Sequence, residues 1–191
     1  MEHSWTDLER AVRGCTRCKL CGGRTNTVLG EGSREAAILC IGEGPGQQED
    51  LQGRPFVGPA GRLLDKMLAA ISLTREEVYI ANVVKCRPPM NRSPEPDEIQ
   101  NCLPFLRAQV GLIRPRILFL LGATAGRAVI GPDFRVTRDR GKWAERKGYH
   151  MLASFHPSAL LRDQSGAWKR LAWEDLKSLR AKYDELKGEE A

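Results

Sequence analysis

Four short apolar runs, separated by stretches with helical spacing, limit what this chain can fold into. They are AAILCIG (residues 36–42), VYIANVV (78–84), ILFLLG (117–122) and MLASF (151–155). Strands this continuously apolar are covered on both faces, as in a parallel sheet between two helical layers. Helical segments are expected at residues 5–14, 60–71, 95–113 and 123–131. In the second of these, Leu63, Leu64, Met67, Leu68 and Ile71 share one face. A C-terminal helix follows from the spacing of Leu176, Leu179, Tyr183 and Leu186, with a charged, solvated tail behind it. Alternating strands and helices predict an α/β fold. The expectation is a three-layer α/β/α sandwich around a four-stranded parallel sheet. At 191 residues, with no long linker or repeat, the whole chain reads as one domain, 1–191.

In such sheets ligands bind beyond the carboxyl ends of the strands, and unusual polar residues gather there. GEGPGQQED (42–50) follows the first run; its glycines permit close backbone approach to a ligand. It ends in no Lys-Ser/Thr and lacks the spacing of a dinucleotide loop, and an ordinary strand-to-helix turn with capping acids reads equally well. Phe56 lies in a Gly- and Pro-rich loop, placed either to stack on a planar ring or to fill the core. Asn82 interrupts an apolar strand, where its amide needs partners; it suits a nucleobase edge or a neighbouring loop. His156 ends the fourth run in SFHPSALLRD. Ser158 and Arg162 can meet phosphates, and Leu160 and Leu161 read as core residues or as a wedge for a base stack. Residues 135–147 (RVTRDRGKWAERK) read as a basic, solvated loop or, near a strand-end site, as a segment that tracks a phosphate backbone.

The chain has six cysteines. Its charged N-terminus resembles no signal peptide, and no apolar run approaches the roughly 20 residues of a membrane span. A cytoplasmic setting is therefore expected, with no membrane partner, and there cysteines serve metals more than disulfides. Cys15 and Cys18 form one CxxC knuckle; Cys86 and Cys102 stand alone far downstream. Zinc sites usually show two knuckles. Dispersed ligands favour an iron–sulfur cluster, with zinc as the rival. Cys40, inside a strand, reads as a buried apolar residue, and Cys21 is surplus to a set of four. The net charge of +6 favours a polyanionic partner.

In combination and in order, GEGPGQQED, GRPFVGPAG, NVVKCRPPMNR, Cys102 and HPSALLR resemble the family 4, iron–sulfur type uracil-DNA glycosylases. The likeness runs from CTRCKLC to the helix after HPSALLR. It implies the uracil-DNA glycosylase superfamily fold and a [4Fe–4S] cluster on Cys15, Cys18, Cys86 and Cys102. It also implies an enzyme, monomeric, that flips uracil from single- or double-stranded DNA and hydrolyses its glycosidic bond. Catalysis falls to Glu43, Asn82 and His156. The uracil pocket takes in Gly42, Gly44, Glu49, Phe56, Asn82, Asn91 and His156, with Glu49 crowding the position of a thymine methyl. The DNA-facing set is Pro45, Gly46, Ser158, Leu160 and Arg162. The segment between Cys86 and Cys102 carries no histidine, so the covalent trapping of a sister group is not expected. The rival readings are a non-catalytic DNA-binding module and a zinc-stabilised nucleotide-binding protein.

Overall fold

Each apolar run becomes a strand, and its alternate residues enter two separate cores. The structure, a computed structural model, describes residues 4–189. Its strands are β1 (Glu31–Gly32), β2 (Ile38–Gly42), β3 (Tyr79–Asn82), β4 (Ile117–Leu121), β5 (Trp143–Arg146) and β6 (Tyr149–Ser154). The helices are α1 (Trp5–Arg13), α2 (Gln47–Gln52), α3 (Pro59–Ala70), α4 (Pro96–Ile113), α5 (Ala123–Val129), α6 (Val136–Asp139), α7 (Pro157–Arg162) and α8 (Ala167–Gly188). Leu39 and Ile41 of β2, with Leu118 and Leu120 of β4, pack in one core with Leu8 and Val12 of α1 and Phe105 and Leu106 of α4. Ile38, Cys40, Ile117 and Phe119 face the other way, onto Leu64 and Leu68 of α3 and Leu176 and Leu179 of α8. The period-2 pleat thus makes the three-layer arrangement, because both faces of every central strand are apolar.

The sheet corrects one expectation. It has six strands in the order β1-β3-β2-β4-β6-β5 and is mixed. The four strands read from the sequence, β3, β2, β4 and β6, pair in parallel; β1 and β5 add antiparallel edges on β3 and β6. β5 and α6 occupy the stretch read as a solvated loop. Trp143–Arg146 is half-buried at its apolar first two residues and exposed at Glu145 and Arg146. It lacks the apolar run of a central strand, because an edge strand needs only one partner. Cys40 is fully buried, as expected. The last two residues of the expected charged tail lie outside the described residues, and α8 extends to Gly188.

The buried carboxylate of Asp175 on α8 joins the two ends of the C-terminal half. Arg140 Nε donates to its Oδ2 at 2.8 Å, and Ser154 Oγ donates to the same oxygen at 2.6 Å. Ser154 is the last residue of β6, so the pair steadies the backbone two residues before His156.

Candidate active site

The chain runs from β2 to β3 on one side and then crosses β2 to β4 on the other. Beyond the carboxyl ends of these strands the loops diverge and leave a crevice. A cavity of about 420 Å³ lies there, lined by Glu43, Gly44, Pro45, Gly46, Glu49, Phe56, Asn82, Asn91, His156, Ser158 and Arg162, together with Thr124, Arg92 and Ser93. The structure therefore brings together residues read from four separate sequence segments. Gly42 stands just behind this wall. A Cβ there would lie 2.4 Å from Asn82 Oδ1 and 2.5 Å from Phe56 Cζ, so only glycine lets the amide and the ring share the floor. Gly42→Ala is expected to lower activity more than tenfold and stability by about 1–3 kcal/mol, as overpacking does. Thermal melting and single-turnover rates on the same preparation check it.

Asn82 is 1% exposed, and its Oδ1 is the one buried side-chain polar atom among the described residues without a hydrogen-bond partner. Such an orphan costs roughly 1–3 kcal/mol, so its presence in a cavity wall points to a ligand donor. Phe56 adopts φ +52, a left-handed conformation that is a true outlier for a bulky side chain and stores about 1–3 kcal/mol. Its ring stacks on the His156 imidazole, centroids 5.6 Å apart.

His156 caps α7: the Ser158 backbone N–H donates to Nδ1 at 3.1 Å, and Ser158 Oγ lies 2.8 Å from the same atom. An Nδ1 that accepts from a backbone amide carries no proton, so the neutral ring bears its hydrogen on Nε2. Burial pushes the imidazole down to about 4, with Arg162 adding to the shift and Glu49 opposing it. The ring is thus a neutral donor near pH 7.

Glu43 follows β2. Its Oε2 accepts from Thr124 Oγ1 and from Ser93 Oγ, the latter at 3.2 Å. Thr124 is buried in the first turn of α5 and Ser93 sits in the Pro-rich loop. Sequence reasoning missed both; ATAG after an apolar strand gave no chemical signal, though its place at a strand's carboxyl end did. Glu49 binds backbone: its Oε1 accepts from Val57 and Gly58 N–H at 2.9 and 2.8 Å, and its Oε2 from Gly46 N–H at 3.1 Å. Asn91 is exposed and accepts from Arg87 Nε at 2.7 Å.

A family model described as the uracil-DNA glycosylase superfamily matches residues 29–177. The chain belongs to that superfamily. It is 45% identical over 178 residues to a type-4 uracil-DNA glycosylase of Thermotoga maritima, covering 91% of this chain and 92% of the relative. It is 43% identical to the type-4 enzyme of Archaeoglobus fulgidus over 83% of each chain. A type-5 uracil-DNA glycosylase of Pyrobaculum aerophilum is 32% identical over 68% of this chain.

In this superfamily member one expected DNA contact is corrected. Leu160 is 2% exposed and packs in the core shared with α3 and α8, so it cannot reach into a base stack; its neighbour Leu161 is 50% exposed. On a helix, adjacent residues point in different directions, and the sequence alone does not say which leucine faces out.

The cysteines meet on the far side of Asn82. Cys15, Cys18, Cys86 and Cys102 line one small cleft with Arg24 and Phe105, and Cys21 lines it too. Arg24 Nη1 donates to Cys86 Sγ at 3.2 Å and to Cys15 O at 2.8 Å, and Lys85 N–H donates to Cys102 Sγ at 3.2 Å. Among the described residues no three His, Cys, Asp or Glu side chains stand close enough to hold a single metal ion. Lys85 links the cleft to the site. It is fully buried, and its Nζ donates to Asn82 O at 2.7 Å and to Gln109 Oε1 at 2.5 Å. Burial lowers this ammonium to about 8.

Proposed function

We propose that the chain excises uracil from DNA by hydrolysing its N-glycosidic bond, leaving free uracil and an abasic site. The orphaned Oδ1 of Asn82 carries this reading. Uracil presents an N3–H donor flanked by two carbonyl acceptors, and an amide answers with Oδ1 on N3–H and Nδ2 on O4. The superfamily match and the type-4 relatives support the same substrate.

The target base leaves the stack at a cost of a few kcal/mol, least in single strands and mismatches. Phe56 stacks on it and Asn82 reads its edge. As the C1′–N1 bond breaks, the electron pair passes to uracil and the sugar becomes cationic. His156 Nε2–H donates to O2, where negative charge develops. Glu43, with Oε2 held by Thr124 and Ser93, keeps Oε1 for the incoming water or the sugar cation. Water adds its oxygen to C1′ and gives up a proton to Glu43 or solvent, and the departed uracil anion takes up a proton from solvent, so the products are neutral uracil and the abasic sugar. Gly42 and Gly44 shape the pocket floor, Glu49 fixes the wall where a thymine methyl would press, and Asn91 edges the opening. Pro45, Gly46, Ser158 and Arg162 border the path of the DNA backbone. Release of uracil from a uracil-containing single-stranded oligonucleotide tests the proposal; no release by protein with its full iron content would sink it.

The donor set fits a [4Fe–4S] cluster on Cys15, Cys18, Cys86 and Cys102. Four thiols from two distant segments converge, and two of their sulfurs already accept N–H donors, as cluster thiolates do. When bound it supplies structural cross-linking, and no step of the hydrolysis needs its electrons. Purified protein is expected to be brown and to hold about four irons per chain. Colourless protein with one zinc would favour the zinc rival instead.

A further inference from the structure

Phe56 is held in its strained conformation by a side chain that does not line the cavity. Arg75, in the turn before β3, reaches under the aromatic loop. Its Nη2 donates to Pro55 O at 2.7 Å and its Nη1 to Phe56 O at 3.0 Å. Both peptides lie outside helices and strands, so these carbonyls find no partner in regular structure. The guanidinium is itself oriented. Asp65 of α3 accepts from Nη1 at 2.9 Å, and Glu31 of β1 lies 3.8 Å from Nε. The Arg75 side chain is only 16% exposed, which removes much of the freedom a surface arginine keeps.

The opposite edge of the same loop is pinned by the opposite charge. Glu49 accepts from the next two backbone N–H groups, those of Val57 and Gly58. Behind the loop, Gly61 of α3 packs so tightly that a Cβ would lie 1.8 Å from Phe56 O. Four consecutive residues, 55–58, are therefore bound by a cation on their carbonyls and an anion on their amides. Phe56, at φ +52, stands between the two. A left-handed aromatic residue persists only where its surroundings overdetermine it.

We propose that Arg75 is a positioning residue for uracil excision: by clamping the Pro55 and Phe56 carbonyls it sets the plane of the Phe56 ring against the flipped base. This rests on the reading of Phe56 as the base-stacking residue. Arginine suits the task because its rigid fork bonds two carbonyls at once, whereas a lysine ammonium is a point charge on a flexible stem.

The test uses the full chain in four forms: Arg75→Ala, Arg75→Lys, Phe56→Ala and the Arg75→Ala/Phe56→Ala double variant. Single-turnover uracil release, inhibition by free uracil, oligonucleotide affinity and thermal melting are measured on each. Arg75→Ala is expected to slow release about 10–100-fold, the scale of a misplacement near 1 Å. It should weaken inhibition by free uracil to a similar degree and leave oligonucleotide affinity within about twofold, since that term comes from phosphates. Arg75→Lys should recover part of the rate. The double variant should be no slower than Phe56→Ala alone, because both changes act on one ring. A wild-type rate for Arg75→Ala beside a slow Phe56→Ala would overturn the role of Arg75 and leave the stacking reading intact. So would losses that multiply in the double variant. A wild-type Phe56→Ala would overturn the stacking reading itself. If Arg75→Ala does not fold, Arg75→Lys decides: unchanged uracil inhibition with the Phe56 ring still required refutes the clamp.

Discussion

Asn82→Ala is expected to lose about 10²–10³ in the rate of uracil release, the scale of one lost donor to a developing anion. Charge on departing uracil spreads over O2 and O4, and Nδ2 of Asn82 meets O4 in the proposed pose. Stability should move the other way from activity, or hardly at all. Asn82 Oδ1 has no partner, so truncation removes a buried acceptor that already costs the folded protein. The melting midpoint is expected to correspond to a change within about 1 kcal/mol, as the lost orphan offsets the small void. Rates and melting curves on one preparation separate the two effects. A slow variant with a collapsed melting curve would make Asn82 structural, and a wild-type rate would remove it from the site.

His156→Ala is expected to slow release by a similar factor, about 10²–10³, because it removes the proposed donor to O2. The pH dependence identifies that donor. The imidazole is pushed down to about 4 in the folded chain, below its ordinary value near 6.5. Between these values the unfolded chain binds the proton and the folded chain does not. The stability contributed by burying neutral histidine is therefore complete above pH 6.5 and is lost as pH falls toward 4. Activity follows the same ring: wild-type single-turnover rates should hold from pH 8 to about 5 and fall near pH 4. A rate that halves near pH 6.5 and keeps that limb in His156→Ala would assign the titration elsewhere.

Much of this site was legible because strand ends in an apolar α/β chain are the few places where polar residues have a reason to sit. Asn82 stood out as an amide at the end of an apolar strand, and His156 as a histidine ending another. Thr124 and Ser93 were not legible. Both bond Glu43 from separate segments, and a hydroxyl in ATAG or NRSPEP looks the same whether it bonds a carboxylate or water. Leu160 and Leu161 show the same limit, since both are leucines on one short helix and only packing against α3 and α8 tells which is buried. β5 was missed because an edge strand carries one apolar face or none, and WAER has no alternation strong enough to mark it.

The sequence by itself determined the layered fold, through four predominantly apolar runs, and it put glycine, amide and histidine at or just past their carboxyl ends. It also determined that four cysteines come from two distant segments. What the tertiary structure decided was contact between residues far apart in the chain. It set Phe56 on His156, left Asn82 Oδ1 without a partner, brought the cysteines to one cleft, and placed Arg75 beneath the aromatic loop. Periodicity reports which face of an element is buried, because burial is a property of each residue's own neighbourhood. Which groups meet across a crevice depends on how separate elements pack, and no local pattern encodes that.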